Sequence, residues 1–431
     1  MFGKNIVLGF GSNLGESINH FRAALAEIKR IPFLHVRDVS SLYESDAQLP
    51  ENASETWNKK YLNAAVRIQL NTDTSPEILL QELKKIERAI GRIDSERWAP
   101  REIDIDILAW DDDAFSSPQL SIPHKRLCER PFALLPTLEL MPELAERISL
   151  PEWSQGWVQE KPFATKICRD RVWSEIVGIL NVTADWFSDG GSYLDENAIA
   201  ARAKILLRDG ADIIDVGAES TRPGAVGVTA DEEWARVDLA LSVLRNFKVR
   251  LSLDSRRPAV VGRAVEKYKI DFLNDVEGFA APEMQRLLRD SGKKAFVMHS
   301  LSIPHTQTLV LSDRPSPSEQ IREWWRQRRE QLVDCGIGAD RLVFDPGIGF
   351  GKTPTQNLFL LRNLQQFSAI RDSILIGHSR KSFLTMWSEQ PAARRDPETA
   401  VLTSQLNQAY VQYLRVHDPA SQKAALIGRI R

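Results

Sequence analysis

The chain has 431 residues, more than one hydrophobic core usually holds, so we expect two domains. Its composition, 43% hydrophobic and 26% charged, is that of an ordinary globular protein. A formal net charge of -2 argues against a protein that coats nucleic acid, and no apolar run approaches the ~20 residues of a membrane helix. Three sparse cysteines without C-x-x-C spacing predict reduced thiols in the cytoplasm.

The first third of the sequence has the βαββαβ pattern of a ferredoxin-like α+β domain. Strand and helix patterns alternate along 4–10, 16–30, 35–44, 60–70 and 76–90, and the last strand contains Asp104 and Asp106. The helix at 76–90 begins with the start signal T-S-P-E. The polar segment between residues 44 and 60 is long enough to form a flap over a site.

Asp104 and Asp106 lie near the end of the stretch R-W-A-P-R-E-I-D-I-D-I-L, residues 97–108. Residues two apart in a strand share a face, so both acids point one way, and Ile103, Ile105 and Ile107 point the other way. Two neighbouring carboxylates repel each other unless a basic side chain or a divalent cation lies between them. The pattern therefore predicts either an ion-pair cluster or a metal site.

Three arginines precede these acids, at positions 92, 97 and 101. Arginine binds phosphate oxygens in a bidentate manner, and carboxylates that bind Mg²⁺ beside such arginines are typical of phosphoryl transfer. The alternative is a lattice of Asp–Arg ion pairs with His124 as a core histidine. The residues alone leave both interpretations open.

A segment with weak periodicity and several Pro, Gly and Ser residues follows, and we place the domain junction near 156–169. We expect domains at 1–158 and 173–431, joined by a linker at 159–172. Eight short apolar runs separated by helical patterns then predict a (β/α)₈ TIM barrel, with a doubly wound sheet as the competitor. These runs are 175–181, 212–217, 249–254, 270–274, 295–299, 341–345, 373–377 and 411–417.

Most of the predicted barrel strands end in polar motifs, and barrel active sites lie at the C-terminal ends of strands. Turn formation and helix capping explain some of these residues, but they do not explain Arg222, Lys381, Arg415 and His417 at the same ends. The motif G-I-G-F-G-K-T at 347–353 fails the Walker pattern because position 346 is proline, so an NTPase is a weak alternative.

Four motifs of the first domain resemble those of 6-hydroxymethyl-7,8-dihydropterin pyrophosphokinases: G-S-N-L-G (11–15), Y-L-N-A-A-V (61–66), R-W-A-P-R-E-I-D-I-D-I (97–107), and I-P-H with R-P-F (122–132). The resemblance implies transfer of pyrophosphate from ATP to a reduced pterin, with two Mg²⁺. Its implied residues are Asp104 and Asp106 for magnesium; Arg92, Arg97, Arg101, His124 and Arg130 for ATP; and Tyr61, Asn63 and Phe132 for the pterin. For Tyr61 and Phe132, plain core packing is the alternative.

The strand-end motifs of the second domain resemble those of dihydropteroate synthases, above all G-I-L-N-V-T (178–183), D-V-G-A-E-S-T-R-P-G-A (215–225), F-D-P-G-I-G-F-G-K (344–352), S-R-K-S (379–382) and R-V-H-D (415–418). The resemblance implies condensation of para-aminobenzoate with dihydropterin diphosphate. Its implied residues are Asn181, Arg222, Arg415 and His417 for the diphosphate, with Asn181 also at one Mg²⁺; Asp254, Asn274, Asp345 and Lys381 for the pterin; and Thr221, Pro223, Phe350 and Ser382 for aminobenzoate.

Several positions depart from these family patterns. The flap lacks a P-x-G motif, and Asp94, Gln119 and Trp186 replace residues that are usual in the two families. The two halves nevertheless fit consecutive steps, so we predict a bifunctional folate-biosynthesis enzyme. We expect it to be cytoplasmic, to bind neither nucleic acid nor membrane, and to form a homodimer through the barrel. A pterin-binding scaffold with one inactive half and a barrel that transfers a methyl group from a reduced folate are the two rivals.

Overall fold

The structure is a computed structural model that describes residues 3–93, 96, 98–111, 113–155, 164–183, 196–219, 227–303, 306 and 308–428. Its contacts divide the chain into two compact units. The first comprises the residues up to Trp173 together with Asn407–Ala409, and the second comprises Ser174–Leu406 and Tyr410–Arg429. None of the helices within the described ranges is long and apolar enough to cross a membrane.

The first unit is built around a six-stranded sheet in the order β5-β1-β4-β3-β8, with β2 also paired to β4. Its elements in chain order are β1 (Asn5–Ser12), α1 (Ser17–Arg30), β2 (Leu34–Val39), β3 (Tyr43–Ser45), β4 (Tyr61–Leu70), α2 (Pro76–Ile90), β5 (Asp104–Trp110), β6 (Phe115–Ser116), β7 (Ser121–Ile122), α3 (Pro131–Leu140) and β8 (Thr165–Ile167). The predicted βαββαβ order is confirmed, except that the strand expected at 35–44 is divided into β2 and β3, which pair with different parts of β4.

Both faces of this sheet carry a hydrophobic core. One core contains Phe21 of α1, Leu83 of α2 and the alternate residues Ile103, Ile105 and Ile107, all almost fully buried. A second, smaller core on the opposite face includes Leu134 and Leu140 of α3. The predicted inward direction of the isoleucines around the two acids is therefore confirmed.

Helix α2 has the bounds that its sequence signals predict. The Ser75 side chain accepts a hydrogen bond from the Ile78 N–H, Pro76 occupies the first turn, and Gly91 ends the helix in the left-handed conformation with φ 113°. These caps fix where α2 begins and ends.

The predicted linker at 159–172 contains a strand. Thr165–Ile167 form β8, which pairs antiparallel with β3 at the edge of the first sheet. Three residues are too few to show an alternating pattern, and pairing with a strand about 120 residues earlier depends on the tertiary fold. This part of the predicted linker thus differs from expectation.

The second unit contains a closed barrel of eight parallel strands, in the order β10-β11-β12-β13-β14-β15-β16-β9. The prediction of a TIM barrel is confirmed, and the doubly wound alternative is wrong. The strands are β9 (Glu175–Asn181), β10 (Ile213–Gly217), β11 (Arg250–Asp254), β12 (Phe272–Asp275), β13 (Lys294–Met298), β14 (Leu342–Asp345), β15 (Ser373–Ile376) and β16 (Tyr413–Val416). The described helices are α4 (Glu196–Arg208), α5 (Ala230–Leu244), α6 (Pro258–Lys267), α7 (Pro282–Ser291), α8 (Pro317–Asp334), α9 (Pro354–Arg362), α10 (Asp396–Thr403) and α11 (Pro419–Ile427).

Candidate active sites

A row of three residues crosses three neighbouring strands of the first domain. In the registers of β4, β1 and β5, Asn63 lies opposite Gly11, and Gly11 lies opposite Asp104. Directly opposed residues of antiparallel strands point to the same face of the sheet. A Cβ atom on Gly11 would lie 3.7 Å from Asn63 Oδ1 and 3.8 Å from Tyr61 Cδ1, so a side chain at this position would occupy the space beside these two residues.

This space belongs to a cavity of about 260 Å³. The cavity brings together eight of the ten residues predicted for this site: Tyr61, Asn63, Arg101, Asp104, Asp106, His124, Arg130 and Phe132. Trp98 and Gln48, to which the sequence analysis assigned no role, also line it. The predicted Arg97 and the departing residue Asp94 lie outside the described residues. The cavity therefore combines acids, bases and aromatic rings in one place.

Asp104 is surrounded by cations. Arg92 Nη1 donates to Asp104 Oδ1 at 2.6 Å, and Arg101 Nη1 donates to Asp104 Oδ2 at 3.3 Å. Burial disfavours the charged carboxylate, but Arg92, Lys84 and Arg101 outweigh burial and hold the pKa of Asp104 below its ordinary value. Arg92 does not line the cavity itself, but its contact with Asp104 places it at the cavity's edge.

Asp106 has the opposite electrostatic environment. Burial and the neighbouring charge of Asp104 raise the pKa of Asp106 to about 6. Within the described part of the chain, no group of three or more His, Cys, Asp or Glu could hold a metal ion. Mg²⁺ commonly binds one or two carboxylates and completes its shell with phosphate oxygens and water. Two carboxylates that share a cavity and repel each other fit such an ion.

Glu87 of α2 is a residue that the sequence analysis missed. It is only 2% exposed, accepts a hydrogen bond from the Ile105 N–H at 2.7 Å, and pairs with Arg92 at 2.8 Å. Ile105 is the residue between the two acids, so Glu87 fixes both the backbone of β5 and the arginine beside it. In the sequence it stands within K-K-I-E-R-A-I, where it reads as one more charged residue on a helix surface.

His124 is neutral and has a defined tautomer. Burial, reinforced by Arg130, Lys125 and Arg126, lowers the pKa of His124 to about 4. Its Nδ1 atom accepts a hydrogen bond from the Arg126 N–H at 3.2 Å, which assigns the ring proton to Nε2. His124 thus provides a neutral N–H donor.

Contacts within the first domain orient the amide of Asn63 and the ring of Phe132 in the cavity. Asn63 donates through Nδ2 to Ser45 Oγ at 3.0 Å, which orients the side-chain amide. The Arg130 guanidinium lies 5.9 Å from the centre of the Phe132 ring. Gln119 is exposed.

A similar row crosses four strands at the C-terminal end of the barrel. In the registers of β9 to β12, Asn181, Gly217, Asp254 and Asn274 are successive neighbours. A Cβ atom on Gly217 would lie 3.5 Å from both Asn181 Oδ1 and Asp254 Oδ2. Two oxygen atoms therefore border the same space, and carboxamide and carboxylate oxygens are suitable Mg²⁺ ligands.

Arg415 joins this row from β16. Its Nε donates to Asp215 Oδ2 and its Nη2 donates to Asp254 Oδ2, both at 2.6 Å. Asn274 Nδ2 also donates to Asp215 Oδ2, at 3.2 Å. A guanidinium has five N–H donors, so these two bonds leave donors on Arg415 for an anion. Burial raises the pKa of Asp254 to about 7, against the opposing effect of Arg415.

Asp215 is the second residue that the sequence analysis missed. It is fully buried, and its Oδ1 atom has no hydrogen-bond partner within the described chain. Within I-I-D-V-G it reads as a polar residue near a strand end, because its partner Arg415 is 200 residues away. It orients Arg415 and Asn274 together.

The glycine-rich turn after β14 is held from inside. Asp345 Oδ1 accepts a hydrogen bond from the Gly347 N–H at 2.7 Å, and burial raises the pKa of Asp345. Lys352 is 4% exposed and donates to the carbonyl oxygens of Gly347 and Phe350, each at 2.8 Å. Its Nζ also lies 3.0 Å from His299 Nδ1. Lys352 thus holds the turn from inside, and the turn follows a strand of a closed barrel rather than of an open sheet, which argues against the NTPase alternative.

The turn after β15 completes the second site. Lys381 Nζ lies 4.1 Å from the centre of the Phe350 ring, so the residues predicted for the pterin and for aminobenzoate are adjacent. Ser379 Oγ lies 3.0 Å from His417 Nδ1, and Ser382 is exposed beside this turn. Thr221, Arg222, Pro223 and Trp186, which the sequence analysis also singled out, lie outside the described residues.

Comparisons with known proteins agree with this architecture. The family model for 7,8-dihydro-6-hydroxymethylpterin-pyrophosphokinase matches residues 7–142, and the model for pterin binding enzymes matches residues 177–417. A folate synthesis bifunctional protein of Chlamydia trachomatis is 35% identical, over 98% of this chain and 96% of its own length. A mitochondrial folate synthesis bifunctional protein of Arabidopsis thaliana is 32% identical, over 96% of this chain and 80% of its own length.

Solved structures match the barrel. The dihydropteroate synthase of Anaplasma phagocytophilum, with bound 6-hydroxymethylpterin-monophosphate, is 33% identical with a TM-score of 0.54. The match covers 59% of this chain and 97% of that one. The Xanthomonas albilineans enzyme with 4-aminobenzoic acid is 30% identical, with a TM-score of 0.54 and coverage of 59% and 90%.

Fold, sites and comparisons define a two-domain transferase that acts on pterins. Each domain has its own cluster of polar residues, and both domains are matched together in single relatives. The chain belongs to the family of folate synthesis bifunctional proteins. Its first domain is a 6-hydroxymethyl-7,8-dihydropterin pyrophosphokinase and its second domain is a dihydropteroate synthase.

Proposed function

We propose that the two clusters described above carry out the two reactions of this family in sequence. The first pyrophosphorylates 6-hydroxymethyl-7,8-dihydropterin with ATP, and the second condenses the resulting diphosphate with para-aminobenzoate to give 7,8-dihydropteroate. The observation that carries the proposal is the gathering of acids, bases and aromatic rings around one cavity in the first domain and of polar and charged residues at the C-terminal ends of the strands in the barrel.

In the kinase domain, Asp104 and Asp106 would hold two Mg²⁺, which when bound neutralise charge on the ATP phosphates. Arg92 and Arg101 would exchange Asp104 for phosphate oxygens of ATP, because a guanidinium binds a carboxylate and a phosphate in similar geometry. The pterin hydroxyl oxygen would attack the β-phosphorus, the bond from the β-phosphorus to the α-phosphate oxygen would break and release AMP, and the hydroxyl proton would pass to water.

The remaining side chains would bind and orient the two substrates. His124 would donate its Nε2–H to a phosphate oxygen, and Arg130 and Arg97 would add positive charge around ATP. Asn63 would bind the polar edge of the pterin, while Tyr61 and Phe132 would stack on its two faces.

In the synthase domain, Asp345, Asp254, Asn274 and Lys381 would bind the pterin, with Asp345 pairing with its guanidine-like edge. Arg415, His417, Asn181 and Arg222 would hold the diphosphate, with one Mg²⁺ at Asn181. The carbon–oxygen bond to the diphosphate would break first and leave a cation at the pterin methylene. The amine of aminobenzoate would then attack this carbon and release a proton to water. Phe350, Ser382, Thr221 and Pro223 would shape the aminobenzoate pocket.

Domain limits of 1–158 and 173–431, a homodimer formed through the barrel, and a cytoplasmic location are further parts of this proposal. They rest on the resemblance of both halves to their families and on sparse cysteines. The Arabidopsis relative is described as mitochondrial, so the compartment differs among relatives.

A coupled assay tests the proposed function. Hydroxymethyldihydropterin, ATP, Mg²⁺ and para-aminobenzoate are expected to yield AMP and dihydropteroate when the full chain is added. Supplying synthetic dihydropterin diphosphate tests the synthase alone, and omitting aminobenzoate tests the kinase alone. Activity in only one of these partial assays would support the scaffold alternative and identify the inactive half.

The stacking role of Phe132 can be tested separately. Phe132→Ala is expected to raise the KM for hydroxymethyldihydropterin about tenfold and to leave the KM for ATP unchanged, because aromatic stacking contributes about 0.5–1.5 kcal/mol. Phe33→Ala is a matched control, since Phe33 is a partly buried phenylalanine of the same domain that does not line the cavity. Equal effects of both variants on the pterin KM would assign Phe132 to core packing.

A further inference from the structure

In the turn that carries Lys381, the residue before the lysine has an unfavourable backbone conformation that contacts with neighbouring residues must hold in place. Arg380 has a φ of 58°, in the left-handed region that costs a non-glycine residue about 1–2 kcal/mol. Its two neighbours are Ser379, which contacts His417, and Lys381, which lies over Phe350. Strained residues of this kind persist where neighbouring contacts hold them, and they concentrate at functional sites.

The contact that holds this turn is an ion pair with α10. Arg380 Nε donates to Asp396 Oδ1 at 2.7 Å, and Arg380 Nη2 donates to Asp396 Oδ2 at 2.5 Å. The side chains are only 24% and 19% exposed, so the pair is bidentate and partly buried rather than a loose surface contact. The Arg380 N–H also donates to Thr399 Oγ1 at 3.2 Å.

Helix α10 contacts the residues on both sides of Arg380 as well. His378 Nε2 lies 2.9 Å from Thr403 Oγ1, and Arg395, just before the helix, donates to the Lys381 carbonyl oxygen at 3.4 Å. Helix α10 and the residue before it therefore contact His378, Arg380 and Lys381. None of these α10 residues has a role in the site described above.

We propose that Arg380 and Asp396 are positioning residues of the synthase: their ion pair holds the left-handed turn that presents Ser379 to His417 and Lys381 to Phe350. This inference rests on the proposed role of Lys381 in the reaction. Without the pair, the backbone at 380 relaxes to a right-handed or extended conformation, and both neighbouring side chains are displaced from the site.

The first test compares two ion pairs of the same barrel in the full chain. Asp396→Asn is expected to lower synthase kcat/KM about 10²-fold, the effect of misplacing a reacting group by about 1 Å. Asp372→Asn is the matched control, because Asp372 pairs with Arg329 at 2.8 Å and neither residue belongs to the site. The control is expected to stay within about twofold of the parent chain. Equal kcat/KM values for the two variants at similar melting temperatures would overturn the proposal.

A second test separates the backbone from the charge. Arg380→Gly and Arg380→Ala both remove the ion pair, but only glycine adopts positive φ without cost. The glycine variant is therefore expected to keep about fivefold more synthase activity than the alanine variant. Equal activities would show that the pair does not act through the backbone conformation.

A third measurement distinguishes failure of this inference from failure of the proposed site. Lys381→Ala is expected to reduce synthase turnover strongly, and adding Asp396→Asn to it is expected to cause a smaller further loss than Asp396→Asn causes alone, because the ion pair acts in part through Lys381. If Lys381→Ala is fully active, the proposed role of Lys381 and this inference both fail. If it is inactive while Asp396→Asn is normal, or if the two losses multiply, only the inference fails.

Discussion

Replacing Arg415 with alanine is expected to lower synthase kcat/KM by about 10³-fold. The variant loses a donor to the diphosphate, and it leaves Asp215 and Asp254 without the cation that bridges them at 2.6 Å. Breaking a buried ion pair from one side costs about 3–5 kcal/mol, so the unfolding temperature of the barrel should fall as well. The measurements are the synthase rate with synthetic dihydropterin diphosphate and thermal unfolding.

Arg415→Lys separates the two effects. Lysine keeps the positive charge, but a single ammonium cannot reproduce two guanidinium bonds to separate carboxylates, so we expect a folded barrel with impaired turnover. The kinase rate of the same chain is the internal control and should not change. Synthase activity within tenfold of the parent after Arg415→Ala would argue against the diphosphate role and favour the methyl-transfer alternative, which has no diphosphate to hold.

Asp104→Asn is expected to reduce pyrophosphoryl transfer by about 10³-fold or more while the synthase remains active. The substitution removes one of the two negative charges at the Mg²⁺ site and so weakens metal binding, and a metal contributes several kcal/mol of charge stabilisation to such a reaction. The variant also removes the carboxylate that pairs with Arg92 and Arg101, so a lower melting temperature should accompany the loss. Kinase activity near that of the parent chain would show that the acids are structural.

Asp106→Asn provides the matched comparison, with the opposite expected effect on stability. The folded-state pKa of Asp106, about 6, lies above its ordinary value of 3.8, so the folded protein binds more protons than the unfolded chain between these values. The free energy of unfolding therefore falls as pH rises through this window. In metal-free buffer, Asp106→Asn should remove this contribution and raise the melting temperature at pH 7, although kinase activity is lost.

Local patterns in the sequence predict those parts of the fold that depend on neighbouring residues. Alternation placed Ile103 and Ile105 in the core and the two acids on the other face, and the start signal T-S-P-E marked the beginning of α2. The polar ends of the apolar runs indicated that the second domain is a barrel, because parallel strands bring their C-terminal ends together.

The features that the sequence did not reveal depend on contacts between distant residues. Glu87 and Asp215 look like ordinary charged residues until Arg92 and Arg415 approach them in the fold. Asp396, in R-D-P-E-T, reads as a residue at a helix start, and only the fold pairs it with a strained turn 16 residues earlier. Charge and spacing identify candidate residues at a site, but the residues that hold those candidates in position can be identified only from the three-dimensional structure.

The two domains have different architectures, but the candidate site of each contains the same arrangement of three residues on neighbouring strands. Gly11 separates an asparagine from an aspartate on the antiparallel sheet, and Gly217 does so in the barrel. Glycine loses more conformational freedom on folding than any other residue, so replacement by alanine would favour folding by about 0.5–1 kcal/mol. Selection for stability alone would thus fill these two positions and shrink the volume left for a heterocycle. Glycine at these two positions therefore lowers the folding stability of each domain and leaves room for its ligand.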